Sequence, residues 1–189
     1  MLSHALNILK SSLNSHFKMA NPHTDSLDEK VVFPPGINTD YTSLPINKVS
    51  LLLARLEEEK ALRAPDLYQS IQVDGSNQTA APEIRLNLFV VFAANYNNYE
   101  DSLRNISFII NYFQNHRLIT HDTTPDLHES LQQLVIELVT LSFAEQNELW
   151  ASLRMSSCPF VLYKIKMVVF KAETSATVPV GELVIEGLE

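Results

Sequence analysis

The stretch from Ile84 to Ala94, "IRLNLFVVFAA", constrains the fold more than any other part of the chain. Ile84, Leu86 and Leu88 alternate with Arg85 and Asn87, the period-two pattern of a strand with one polar face. From Phe89 to Ala94 every residue is apolar, so that end of the strand has to be covered on both sides. The next residues, "NYNNYEDSLRN", read as a polar turn and the start of a helix running from Tyr99 to about Asn115.

A strand, turn and helix in this order is how many proteins hold phosphate, which requires glycine for a close backbone approach and a free helix N-terminus. Ala94, Asn95, Tyr96, Asn97 and Asn98 supply no glycine. With Asn98 as the N-cap, Glu100 and Asp101 fall in the first turn, Asp101 at the capping-box position, so a phosphate would meet two negative charges. The turn is therefore expected to be structural.

The rest of the chain fits around this strand. Leu2, Leu6, Leu9, Leu13 and Phe17 form one stripe of an amphipathic helix over residues 2 to 17, expected to pack on the domain's own sheet. Residues 18 to 47, rich in proline, read as a long connection with a short strand at Val31 to Phe33. A strand is expected from Val49 to Glu58, and a second long loop from Ala64 to Glu83, punctuated by Asp74-Gly75 and Pro82. After the Tyr99 helix come a loop, a strand at Leu134 to Thr140, a helix opened by Ser142 with Glu145 as its capping box, and a strand from Phe160 to Phe170. The order is neither regularly βαβ nor all-β, and implies an α+β fold with helices on a mixed sheet. Residues 1–170 read as one domain and 171–189, ending in "VPVGELVIEGLE", as a C-terminal strand or arm.

Composition narrows the function classes. A chain of 189 residues, 46% hydrophobic, can bury one core. A net charge of −8 without a lysine or arginine cluster argues against a nucleic-acid surface. No apolar run approaches the roughly 20 residues needed to cross a bilayer, and the N-terminus alternates polar and apolar residues, so no direct membrane insertion and a cytoplasmic location are expected. The sequons at Asn77 and Asn105 then carry no meaning.

Catalytic signatures are hard to find. The single Cys158, between Ser157 and Pro159, has no activating motif beside it and reads as an inert thiol. His116, His121, Asp122 and His128 are close in sequence but lack metal-ligand spacing, and no cofactor is expected. Glu57, Glu58 and Glu59 read as a solvated strand end. On the Tyr99 helix, Tyr99, Leu103, Ile106, Ile110 and Phe113 share the expected core face, whereas Phe108 and Tyr112 project from nearly the opposite one as candidate contacts. In the last long strand Lys164 and Lys166 face water or a partner, and as solvated lysines they would discourage edge pairing.

Two segments, "LNLFVVFAANYNNYEDSLRNISFIINYFQNH" and "LVIELVTLSFAEQNELWASLRMSSCPFVLYKIKMVVF", together resemble the N-terminal domain of the tail-terminator, or cap, proteins of phage-tail-like contractile injection systems. The elements that carry the resemblance are the apolar strand running into Ala94-Asn95-Tyr96 and Tyr99, the Leu149-Trp150 pair, and Pro159 followed by Leu162-Tyr163-Lys164. Arg154 stands where that pattern commonly has glycine, and Phe160 where it has serine. The resemblance implies a non-enzymatic hexameric ring on the end of a tube and sheath that ends their polymerisation. Its partners would be further copies of itself and the tube and sheath proteins. A particle assembled in the cytoplasm and open to release is implied as well. Two other classes remain open, a metal- or carboxylate-dependent enzyme on an α+β scaffold and a tail-assembly adaptor or chaperone.

Overall fold

The computed structural model describes residues 1–20, 29–35, 44–59, 70–73, 76–79, 84–129 and 131–169. In chain order the elements are α1 (Leu2–Ala20), β1 (Val31–Val32), β2 (Lys48–Glu58), β3 (Ser70–Val73), β4 (Ser76–Thr79), β5 (Ile84–Asn95), α2 (Tyr99–Asn115), β6 (Leu118–Thr120), β7 (Leu131–Val139), α3 (Phe143–Leu153) and β8 (Phe160–Val169). Six strands form one sheet in the order β1, β2, β5, β8, β7, β6. Among the described residues only β1 pairs in parallel, with β2, and every other pair is antiparallel. The architecture is the expected α+β fold with a mixed sheet.

β5 lies inside the sheet, and its apolar second half is covered on both faces as its sequence requires, while Asn87 of the polar half is buried and donates to Glu59. Leu88, Val90, Phe92 and Ala94 face the layer made by α1 and α2. Val91 and Ala93 share the opposite face with their cross-strand neighbours Leu52 and Leu162, and Trp150 of α3 and Leu44 pack in the same cluster. Ala94 is tied to the next strand through its N–H, which donates to the Pro159 carbonyl at 2.9 Å. Trp150 is the only buried side chain of α3, and it meets Phe160 edge-on at 5.3 Å.

The helix starts follow from local chemistry. The Asn98 side chain accepts the Glu100 N–H at 3.1 Å, satisfying one of the free donors at the start of α2. Asp101 closes no capping box; it and Glu100 turn to Arg104 instead. At α3 the box is complete, with Glu145 accepting from the Ser142 N–H at 2.8 Å and Ser142 accepting from the Glu145 N–H at 3.4 Å.

Several sequence expectations need correction. The expected loop between Ala64 and Glu83 contains the hairpin β3–β4, whose strands flank Asp74-Gly75, a sequence that favours tight hairpin turns. The segment after α2 contains β6, which pairs with β7. β8 is flanked by β5 and β7, so Lys164 and Lys166 stand in the interior of the sheet and do not guard an edge. The buried face of α2 is Ser102, Ile106, Ile109 and Phe113, while Tyr99 and Leu103 are exposed. Phe108 and Tyr112 do not point outward, because α1 packs over them. A single helical stripe assumes one covering layer, whereas α2 is covered by the sheet on one flank and by α1 on the next. The expected arm over 171–189 lies outside the described residues.

Candidate assembly interface

The contact between α1 and α2 is aromatic. Phe17 stacks on Phe108 with centroids 4.1 Å apart, and His16 lies 4.9 Å from both Phe108 and Tyr112. His116 stacks on Tyr112 at 4.3 Å and lies 6.3 Å from His16. Burial pushes the Tyr112 hydroxyl above the usual tyrosine range, and a hydrogen bond with Ser12 partly opposes this. Both sequence candidates on this helix are thus committed to holding α1 in place.

α1 is also pinned to the sheet edge by a buried polar group. Asn14 donates through Nδ2 to the Val31 carbonyl and accepts the N–H groups of Lys30 and Val31 through Oδ1, all at 2.9 Å. On a helical wheel Asn14 is merely a polar residue beside the stripe. Only the return of the chain at Val31 reveals its role.

Lys164 and Lys166 belong to a belt of charges across the sheet face beside α3. Lys166 donates to Glu137 at 2.6 Å, and Lys164 lies 3.9 Å from Glu59, which also accepts from Asn87 Nδ2 at 2.9 Å. Lys164 and Arg55 each approach the Phe89 ring to 5.9 Å, and Arg55 pairs with Glu57. The more exposed pairs, Lys166–Glu137 and Arg55–Glu57, contribute about 0–1 kcal/mol each. The belt marks where the apolar covering layer on this face stops.

The histidines and the cysteine are dispersed. His121 bonds the Leu131 carbonyl and His4 the Asp126 carbonyl, each at 2.8 Å, while His4 meets His128 ring to ring at 5.4 Å. Asp122 is exposed in the turn after β6, and among the described residues no three potential ligands form a metal-binding group. Cys158 is partly covered beneath α3, and burial pushes its thiol up to about 11. A thiol held in the protonated form is a poor nucleophile. A cavity of about 530 Å³ beside the end of α3 is lined by Gln146, Trp150, Arg154 and Ser157 among others, and it opens broadly to solvent.

Four of the exposed large apolar side chains belong to segments near the end of the sheet where β2 begins and β5 and β7 stop. Ile46 precedes β2 and is 63% exposed; Tyr99 follows β5 at 66%; Leu138 near the end of β7 is at 55%; Phe143, the first residue of α3, is at 88%. The strand register fixes this common end, since Lys48 pairs with Asn95, Ala93 with Phe160, and Val139 with Leu162. Exposed apolar side chains of this size are candidates for contact with a partner. Sequence reasoning missed them because Tyr99 reads as part of the core stripe and Phe143 as an ordinary helix residue.

The sequence profile of the Pvc16 N-terminal domain matches residues 4–182. No curated protein sequence matches. Among solved structures the chain is similar to one in the cryo-EM structure of an extracellular contractile injection system, described as the PVC sheath/tube terminator in its extended state. The two are 15% identical with a TM-score of 0.49, over 94% of this chain and 63% of that one, so this chain spans less than two thirds of that terminator's length. The family match agrees with the resemblance read from the sequence and extends over nearly the whole chain: this protein belongs to the Pvc16 N-terminal domain family.

Proposed function

We propose that this protein is a structural cap of a contractile injection particle, a ring that sits on the end of the tube and sheath and ends their polymerisation. The observation that carries the reading is the family match over residues 4–182, joined to the cap role that the sequence resemblance implies. A helical polymer presents a heterologous interface that never closes, so a terminator has to match that end on one side and offer no further copy of it on the other. The apolar rim of Ile46, Tyr99, Leu138 and Phe143 is the surface proposed to seat on the particle. The paired charges of Lys164 and Lys166 are a secondary contact, and Phe108 and Tyr112 support it from within by fixing α1.

Changing Leu138 and Phe143 together to Asp tests this. Both side chains are more than half exposed, so the monomer should keep its melting temperature. Cells carrying the double variant should make sheaths of irregular length or particles that fall apart. Uniform, intact particles would overturn the rim assignment.

A further inference from the structure

The carboxyl end of α3 keeps an arginine in a backbone conformation that suits glycine. Arg154 has φ 53° and ends the helix there, its N–H donating to the Ala151 carbonyl at 3.2 Å while the Met155 N–H donates to the Trp150 carbonyl at 3.4 Å. A non-glycine residue in this region forgoes stability, and such outliers cluster at binding sites. Arg154 lines the open cavity of about 530 Å³, and it is the one ionised side chain among the described residues that do so. Its guanidinium and the side chains of Gln146, Ser156 and Ser157 hold no partner among the described residues. The Trp150 indole N–H is buried and also lacks an acceptor among them. Trp150 and Met155 add apolar wall.

These groups define a ligand. A guanidinium flanked by hydroxyl and carboxamide donors matches a carboxylate, which accepts two parallel bonds from the planar fork. Among the described residues no carboxylate of the protein lines the cavity, and Glu145 is held in the Ser142 cap at the other end of α3. The helix dipole opposes an anion at this end, but its partial charge is smaller than the full charge of Arg154, and the Trp150 and Ala151 carbonyls are already bonded. The indole and thioether suit an apolar group joined to the carboxylate. The volume falls within the roughly 300–1,000 Å³ of ligand sites, and the broad opening leaves room for a chain to continue outward. We propose that this cavity captures the C-terminal carboxylate and apolar last side chain of a partner peptide. Capture is a property of the isolated chain, so it stands or falls apart from the cap role.

Trp150 is the only tryptophan of the chain, so its fluorescence reports on the cavity. The intact protein is titrated with acetyl-glycyl-glycyl-leucine as the free acid, with the same peptide as its C-terminal amide, and with acetate and inorganic phosphate. The free acid should give a saturable change, and the amide should bind at least about 10-fold more weakly, as expected for losing a charge-assisted hydrogen bond. Arg154→Gly, which the left-handed backbone accommodates, should weaken the free acid by a similar factor without lowering the melting temperature. Arg154→Gln, which removes only the charge and the fork, should weaken it as well. No saturable change with the free acid would overturn the proposal, as would equal affinity for acid and amide, or unaltered affinity in both variants. Acetate binding as tightly as the peptide would overturn the peptide assignment, and phosphate doing so would mark an adventitious ion only.

Discussion

Phe17 of α1 and Phe108 of α2 stack with their rings 4.1 Å apart and 23° from parallel, and this pair joins the N-terminal helix to the helix that follows the central strand. Phe108 is only partly buried, so Phe108→Ala should cost less than a full core truncation, about 2–3 kcal/mol. Urea denaturation gives the number. The double change with Phe17→Ala should be clearly non-additive, since each ring loses the same contact. Additive effects would mean the two rings are energetically independent.

Arg154 closes α3 at φ 53°, in the left-handed region, where a side chain is crowded and glycine is not. The resemblance places glycine at this position, and the backbone explains why. Arg154→Gly should stabilise the protein by about 1 kcal/mol, seen as a raised urea midpoint with an unchanged slope. A lowered midpoint would mean that the arginine side chain contributes more than its backbone strain costs.

Asn14 should be the most sensitive polar residue of α1. Replacing it with Leu leaves the N–H groups of Lys30 and Val31 and the Val31 carbonyl without their partner, at a cost of about 2–4 kcal/mol. Asn14→Asp keeps the acceptor and loses only the donated bond, so its effect should be smaller. Faster amide exchange at Val31 in both variants would show that the edge strand has loosened.

Much of this fold could be read locally. Asn98 and the Ser142/Glu145 box mark helix starts because capping involves residues only two or three apart. β5 announced its two-layer cover through Phe89 to Ala94, and Trp150 is part of that cover. What escaped depends on partners distant in sequence. β6 has three residues and gains its identity from β7. The face of α2 bearing Phe108 and Tyr112 is decided by α1, nearly a hundred residues earlier. The alternation in β8 placed Lys164 and Lys166 on one face correctly, but alternation cannot tell a central strand from an edge. The exposed rim was invisible because Tyr99 falls on the stripe expected to face the core and Phe143 reads as an ordinary helix residue until the neighbours are known.

Two buried acids should make the protein sensitive to alkali. Burial pushes Tyr163 up to about 12, with nearby Arg117 opposing it, and pushes Cys158 up to about 11. Both groups are neutral when protonated and both are raised, so their contribution to stability is complete below their ordinary values of 9.0 and 10.0. It is lost as pH climbs through the folded values. Urea midpoints should therefore fall between about pH 9 and pH 12, and Tyr163→Phe should flatten the upper part of that decline. An identical alkaline profile in this variant would contradict the assignment.

The cap role is tested most directly by finding the protein on the particle. A small density-bearing tag on this chain, imaged by electron microscopy on intact particles, should appear as a single ring at one end of the sheath and tube and nowhere along their length. Label distributed along the sheath, or particles of normal length and integrity that carry none, would contradict the account.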